Sequence, residues 1–132
     1  MATVLTNPGR AINAGRMLGA TPSQAEPKYV GLGTGAGTAA AADTALFTEV
    51  VTGSWAGYAR ASAAGTQVTT TVTNDTAQWQ DTFTAPSSTQ AITNAGNLDA
   101  TTAGNLHIHG DFAVINLLIN DTLQITIKDQ KN

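Results

Sequence analysis

Apolar and polar side chains alternate along two neighbouring segments in the middle of the chain. Residues 67–73 are rich in Thr and carry two valines on one face, and residues 77–84 place Trp79 and Phe83 on one face with Gln and Thr on the other. This two-residue period is typical of a strand with one buried face. The Asn-Asp pair at 74–75 is a turn signal, so the two segments are predicted to form an antiparallel hairpin.

Other segments also carry strand patterns. Residues 28–33 and 91–95 form short strand-like runs, and residues 106–109 and 123–127 alternate apolar with polar positions. Residues 112–119 are nearly all apolar, and a strand with apolar residues on both faces is buried on both faces. In a chain this small, we expect another subunit to cover the second face.

The start of the chain lacks this alternation and is predicted to form an N-terminal arm, residues 1–27. Asn7 followed by Pro8 is a helix-start signal, because a capping side chain precedes a proline at the first helical position. This signal predicts a short helix over residues 9–18. Residues 20–27 contain two prolines and no periodicity, which is typical of a linker.

Short strands at this spacing predict a mainly β protein. We expect one antiparallel β-sandwich or jelly-roll-like domain over residues 28–132, preceded by the arm and its short helix. A chain of 132 residues suits a single domain and can bury a core without cross-links. The last five residues, 128–132, are polar and are expected to form a tail.

Composition narrows the classes of function. Charged residues make up 11% of the chain, against about 25% in an average globular protein, and Thr, Ala, Gly and Asn replace them. Such short side chains lose little entropy when a partner buries them, which favours a protein inside an assembly over a free enzyme. A secreted surface protein is the alternative. The net charge of −3 and the six dispersed Lys and Arg residues argue against nucleic-acid binding.

The sequence also limits compartment and cross-linking. No segment approaches the roughly 20 apolar residues of a membrane span, and the first residues lack the basic and apolar regions of a signal peptide. We therefore expect a protein that is made in the cytoplasm and has no membrane partner. The absence of cysteine excludes disulfides and thiolate metal sites.

The two histidines, His107 and His109, flank Ile108 and point to the same side of a predicted strand. Two imidazoles at this spacing can ligate one metal ion, and six could surround an octahedral ion on a trimer axis. No cluster of carboxylates completes such a site, since Asp111 is the one nearby acid. We favour the alternative, two surface histidines on a polar strand face, and predict no metal or other cofactor.

No sequence motif indicates catalysis. The glycine-rich residues 31–37 lack both the Gly-Lys-Ser/Thr ending of a phosphate loop and the spacing of a dinucleotide fingerprint, so a tightly turning strand exit is the favoured interpretation. The chain has no Gly-x-Ser-x-Gly elbow, and its aspartates mostly lie at turns or strand ends. We predict that the protein is not an enzyme and has no catalytic or cofactor-binding residue.

Several segments together resemble a group of virion proteins of tailed bacteriophages. They are residues 28–35 with 43–49, residues 91–100, and residues 104–109 continuing to 121–127, and the resemblance covers about the last three quarters of the chain. Members of this group are commonly tail-fibre or structural proteins. Small members are similar to capsid cement, or decoration, proteins, which form trimers on the capsid exterior. The resemblance implies no catalytic residues and a protein made in the host cytoplasm for incorporation into the virion.

We therefore predict a capsid cement protein whose partners are copies of itself, in a homotrimer, and the major capsid protein. The β domain would trimerise through residues 112–119, and the arm would reach neighbouring capsid subunits. Trp55, on a glycine-flanked loop, is either an interface anchor or part of the core. The predicted interface residues are Arg10, Ile12, Arg16, Met17, Leu18, Trp55, Phe112, Val114 and Leu118.

Two alternatives remain open. The first is a tail-associated or fibre-like structural module, although a chain of 132 residues without a shaft repeat does not resemble a complete fibre. The second is a carbohydrate-binding module, which needs exposed aromatic residues along a groove. The two Trp and two Tyr residues of this chain provide few of them.

Overall fold

The computed structural model describes residues 1–19, 24–86 and 88–131, so part of the predicted linker lies outside the described residues. The elements follow in the order β1 (Ala2–Leu5), α1 (Asn7–Met17), β2 (Tyr29–Gly33), β3 (Ala61–Ser62), β4 (Thr66–Val68), β5 (Thr76–Thr84), β6 (Gln90–Leu98), β7 (Leu106–Leu117) and β8 (Thr122–Gln130). Sheet A has the spatial order β1-β7-β6-β2-β3, and sheet B has the order β4-β5-β8. All strand pairs are antiparallel.

The two sheets share one apolar core, which confirms the prediction of a mainly β fold. Leu32 and Ile92 contribute from sheet A, and Trp79, Phe83 and Ile127 contribute from sheet B. On β5, the alternation seen in the sequence therefore corresponds to the buried and exposed faces of the strand.

The predicted hairpin is present as β4 and β5, but its first strand ends at Val68. The carboxylate of Asp75 accepts hydrogen bonds from the backbone N–H groups of Thr70, Thr71 and Val72 at 2.8, 2.9 and 3.0 Å. These bonds lower the pKa of Asp75 well below its usual range, and the bond from Val72 has the largest effect. They also turn the chain before the strand can continue, which leaves the Val72 side chain 66% exposed.

The N-terminal segment is part of sheet A, which corrects the prediction of a reaching arm. Strand β1 pairs with β7, with Leu5 opposite Ile108. Thr6, and not Asn7, is the N-cap of α1, because its side chain accepts a hydrogen bond from Gly9 N at 2.9 Å. Four residues are too short a strand to show a period in the sequence.

The two halves of strand β7 differ in how far they are buried. Residues 106–109 are all buried, because α1 packs against the backbone at His107 and the segment 34–50 packs against His109. Beyond them, residues 112–114 bulge opposite the single residue Thr93 of β6. The fully buried part of the strand is thus 106–109, whereas the apolar residues 112–119 are largely exposed within one chain.

The C-terminal residues are also better ordered than predicted. Strand β8 runs to Gln130, and Asp129 pairs with Ala77 of β5, so the expected tail at 128–132 is a strand over most of its length. Among the described residues, no helix has the length and apolar character that a bilayer span requires.

Candidate functional site

His107 lies at the centre of a network that joins four elements. Its side chain is fully buried, with Nδ1 3.3 Å from Asn97 Oδ1 on β6 and Nε2 3.0 Å from Asn13 Oδ1 on α1. Nε2 also lies 3.3 Å from Asp129 Oδ2 on β8. The imidazole also contacts the edge of the Trp79 ring, at 5.3 Å between centroids. The network therefore holds α1 and both sheets together.

Asp129 is the charged member of this network. Burial opposes its ionised form, but hydrogen bonds from His107, Lys131 and Asn13 outweigh burial and lower the pKa of Asp129 well below its usual range. Lys131 Nζ lies 2.5 Å from Asp129 Oδ2, and Asn13 Nδ2 lies 3.0 Å from the same oxygen. The carboxylate is thus ionised at neutral pH, and its Oδ2 contacts all three of these side chains.

His109 makes a second, separate network. It is also fully buried, with Nδ1 2.7 Å from Asp43 Oδ2 and Nε2 3.1 Å from Asn94 Oδ1. Phe47 packs edge-on against its ring. Asn94 in turn accepts a hydrogen bond from Phe47 N at 3.1 Å and donates one to Phe47 O at 3.0 Å. This network holds the segment 34–50 against sheet A.

The histidines therefore do not lie on a polar surface, and that prediction is wrong. His107 contacts Trp79 and Asp129 of sheet B together with Asn13 of α1, whereas His109 contacts Asp43 and Phe47 of the segment 34–50. Both ring nitrogens of His107 and of His109 contact protein oxygens, so neither presents a free nitrogen to an ion. Within the described part of the chain there is no group of three or more His, Asp or Glu side chains that could hold a metal ion.

The glycine-rich segment 31–37 has a packing role. A Cβ at Gly37 would lie 2.6 Å from the Phe47 ring, and one at Gly33 would lie 2.4 Å from the Asn94 side chain. The absence of side chains lets Phe47 approach the strand exit closely, and none of these glycines has the positive φ of a tightly turning glycine.

A cavity of about 390 Å³ lies beside Tyr58 and Arg60. Arg60 bonds Glu49 through Nε at 2.6 Å and Nη2 at 2.7 Å, and its Nη1 donates to the carbonyl oxygens of Ala100 and Ala103. Burial raises the pKa of Tyr58 to about 12. Four of the five N–H groups of the guanidinium are engaged and the phenol stays protonated, so both groups stabilise the wall of the cavity.

Trp55 is buried in the core, with 4% of its surface exposed, and stacks edge-on against Tyr58. The core alternative is therefore correct, and Trp55 is available neither to a partner protein nor to a sugar. Ile12 is likewise buried at 1% exposure, because it is the apolar residue by which α1 contacts the fold.

The other predicted interface residues are at the surface, in two groups. The helix patch consists of the exposed side chains of Arg10, Arg16, Met17 and Leu18, on α1 and just after it. The strand patch consists of Val114, Leu118 and Ile119, which are 53%, 60% and 55% exposed, with the half-buried Phe112 beside them.

The two patches lie at opposite ends of β7. Helix α1 is anchored near the start of the strand, where a Cβ at Gly9 would lie 2.1 Å from the His107 carbonyl oxygen. Val114 and Leu118 lie at the other end of β7 and just after it. The sequence pointed to both patches, but not to the histidine networks. The one signal for those networks is the placement of Asn94 and Asn97 within a strand, since Asn is depleted in strands and needs partners when buried.

Comparison with known protein families identifies the family to which the chain belongs. Residues 12–131 match the model of the family described as podophage GP4 fiber I protein gp80. No curated protein and no solved structure matches the chain. Because the matched region includes the second half of α1 and strands β2 to β8, it covers the histidine networks and the strand patch. The chain belongs to the podophage GP4 fiber I protein gp80 family, and it is a virion structural protein of the tail-fibre-like group of tailed phages.

Proposed function

We propose that this protein is a non-enzymatic subunit of a phage fibre, which works by packing against copies of itself and against a larger virion assembly. The observation that carries the proposal is the family match over residues 12–131, because the family is described as a fiber protein. A β-sandwich with separate exposed patches supports this role, since structural subunits must contact more than one neighbour.

The strand patch is the proposed contact between copies, in a homotrimer. Val114, Leu118 and Ile119 are apolar, exposed and close together in sequence, and burying them removes apolar surface from water. Each such side chain contributes roughly 1.5–3 kcal/mol when fully buried. A cluster of this kind on a small protein is a typical protein–protein contact.

The helix patch is the proposed contact with the larger assembly. It combines two arginines with two flexible apolar side chains, Met17 and Leu18, on a chain whose net charge is −3. Arg and Met are enriched at protein interfaces, because both bury large surfaces and adapt to a partner. A partner surface with carboxylates beside an apolar groove would fit this patch.

A capsid cement protein is the second candidate function. In this case the helix patch would bind the major capsid protein on the capsid exterior, and the strand patch would again join the trimer. The separation of the two patches along β7 favours it, because a cement protein must bridge capsid subunits while its own copies stay together.

Fractionation of virions distinguishes the two assemblies. Purified virions are separated into capsids and tails, and each fraction is probed with antibody against this protein. Enrichment in the tail fraction supports the fibre function, and enrichment in the capsid fraction supports the cement function. A protein found in infected cells but in neither fraction would contradict both.

The helix patch can be tested in the same fractions. A variant with Arg16→Glu and Met17→Ser should fold normally, because both side chains are exposed, and its copy number per virion should fall by about tenfold or more. Val72→Ser, at another exposed residue on the 69–75 turn, is the control and should be incorporated like the wild type. Undiminished incorporation of the helix-patch variant would contradict its assigned role.

A further inference from the structure

The cavity of about 390 Å³ beside Tyr58 and Arg60 has no part in the proposed assembly. It lies between three segments, residues 49–50, residues 58–60 and the β6–β7 loop at 101–103. Its volume falls within the range of about 300–1,000 Å³ that is typical of small-molecule sites. None of its lining residues belongs to the helix patch or to the strand patch, so a ligand here would not compete with either.

An ion pair fixes the inner wall of this cavity. The Arg60 side chain is only 6% exposed, and its Nε and Nη2 donate to the two carboxylate oxygens of Glu49 at 2.6 and 2.7 Å. Its Nη1 donates to the carbonyl oxygens of Ala100 and Ala103 at 2.8 and 2.7 Å, which ties the β6–β7 loop to the same guanidinium. The wall is therefore held in place by the chain itself, and such preorganisation favours binding.

This ion pair retains one donor and one acceptor side by side. The second N–H of Arg60 Nη2 has no acceptor among the described residues. Within the same part of the chain, Glu49 Oε2 accepts from Nη2 alone and so keeps lone-pair capacity, and 27% of the Glu49 side chain is exposed. Because Nη2 and Oε2 lie 2.7 Å apart, two adjacent groups of a ligand can accept from one and donate to the other.

The rest of the wall supplies hydroxyl groups and apolar surface. Thr101 and Thr102 are exposed on the β6–β7 loop, and neither hydroxyl makes a hydrogen bond with another described residue. Val50, Tyr58 and Ala59 contribute apolar atoms to the lining. Because burial raises the pKa of Tyr58 to about 12, its hydroxyl stays protonated and adds no charge to the cavity.

The balance of charge in the wall favours a neutral ligand. The carboxylate of Glu49 cancels the charge of Arg60, so an ionic ligand would lose its hydration without gaining an unpaired counter-charge. A ligand with adjacent hydroxyl groups has no such penalty, because each hydroxyl both donates and accepts a hydrogen bond. A sugar ring combines such hydroxyls with C–H groups that suit the apolar part of the lining.

We propose that this cavity binds one ring of a neutral sugar, with adjacent hydroxyls bonded to Arg60 Nη2 and Glu49 Oε2 and others bonded to Thr101 and Thr102. The inference goes beyond the assembly function and does not depend on it. It also differs from the carbohydrate-binding module considered from the sequence, because it needs no groove of exposed aromatic residues.

Backbone amide chemical shifts of the isotope-labelled full chain test the site. The probes are glucose, galactose, mannose and rhamnose, each raised to about 50 mM, because one ring with few contacts should bind with a dissociation constant on the order of 1 mM. At least one of them should shift the amides of residues 49–50, 58–60 and 101–103 until the shifts saturate. Glucuronate and glucosamine, which add a charge to such a ring, should bind at least about tenfold more weakly than the best neutral sugar.

Matched variants locate the binding site. Ala59 and Ala56 are both exposed, but only the first of them lines the cavity. Ala59→Leu should fill part of the cavity and weaken sugar binding by about tenfold or more, whereas Ala56→Leu should bind like the wild type. Thr102→Val removes a hydroxyl while keeping the shape of the side chain, and it should weaken binding by about fivefold. Unshifted amides of β5 and β8 in each variant would show that the fold is intact.

Methyl glycosides distinguish the two sources of such a ring. A free sugar and the terminal ring of a glycan present the same hydroxyls, but only the second carries a substituent at its anomeric carbon. Methyl glycosides that bind as tightly as the parent sugar would assign the site to the end of a glycan. Binding of the unsubstituted sugar alone would assign it to free sugars, and either result supports the site.

Several results would overturn the proposal. One is the absence of saturable shifts with every neutral sugar, and another is tighter binding of glucuronate or glucosamine. Tighter binding of N-methylacetamide would assign the donor and acceptor to a peptide group, and equal binding by Ala59→Leu and Ala56→Leu would place any sugar elsewhere. None of these results bears on the virion function, which fractionation of virions tests by itself.

Discussion

Single polar side chains join the layers of this fold. Asn13, Asn97 and Asp129 surround His107, while Asp43 and Asn94 hold His109, and the partners come from α1, β6, β8 and the segment 34–50. Buried polar groups stabilise a fold only when each has its partner, because an unsatisfied one costs about 1–3 kcal/mol. Both networks meet that condition, so they specify how α1 and the segment 34–50 dock on sheet A.

A change at Gly9 should disturb this docking. A Cβ there would lie 2.1 Å from the His107 carbonyl oxygen, so Gly9→Ala must move α1 away from β7. We expect a loss of roughly 2–3 kcal/mol in the free energy of unfolding, measured by denaturant titration. Gly53→Ala is the matched control, because nothing lies within 4 Å of its added Cβ. Equal stability of the two variants would contradict the close contact.

Asp129 should make stability depend on acid pH. Because the folded state holds the pKa of Asp129 below its unfolded value near 4, its contribution is fully present above that value and is lost as pH falls below it. Asp129→Asn should cost about 2 kcal/mol at pH 7 and should flatten the fall in stability at acid pH. Denaturant titrations of both proteins from pH 7 down to pH 3 provide the measurement. Parallel curves for the variant and the wild type would refute this role.

At the scale of elements, β7 and β5 show how one strand can have two environments. The first half of β7 is buried and is paired on both edges, whereas its second half has an exposed face and a free edge. The division falls where β1 begins its pairing and where residues 112–114 bulge. On β5, the half beyond β4 is likewise open, and it carries Asp81, whose Oδ2 is buried with no hydrogen-bond partner among the described residues.

Replacing Asp81 should stabilise the protein. Burial raises the pKa of Asp81, so the folded state disfavours its charge at neutral pH. Asp81→Asn should raise the free energy of unfolding at pH 7 by about 1 kcal/mol, or the thermal midpoint by a few degrees. This gain should shrink as pH falls, because protonation relieves the wild type. A variant less stable than the wild type at pH 7 would show that the carboxylate has a favourable partner.

The sequence predicted those elements in which the alternation of apolar and polar residues extends over many positions. The alternation on β5 and β8 follows directly from one buried face, and the helix followed from its Asn-Pro start, although the true cap is Thr6. The length of β4 was wrong, because the hydrogen bonds to Asp75 that end it form only in the folded turn. Docking of the N-terminal segment was missed, since it depends on β1, which is too short to show a period.

The site was predictable only in part for a similar reason. Exposure of Val114 and Leu118 followed from an apolar run that a small chain cannot bury by itself. Burial of His107 and His109 did not, because it results from long-range packing of α1 and the segment 34–50, and neither leaves a local pattern in the strand. The sequence left Trp55 open as either an interface anchor or a core residue, and in the folded chain it packs in the core.

At the scale of the whole molecule, the chain is a small sandwich with two exposed patches. Exposed apolar side chains are aggregation hazards in a monomer, and an assembly that covers them removes the hazard. Family membership, low charge and these surfaces all favour a subunit that reaches its stable state among copies of itself. Self-association is therefore the central claim of this account.

The solution mass of the purified protein tests that claim most directly. Sedimentation or light scattering over a range of concentrations should give a closed oligomer, and a trimer is the expected size. Dilution should shift it toward monomer, and Val114→Lys should shift it further at the same concentration. A wild-type protein that stays monomeric at the highest attainable concentration would contradict the account.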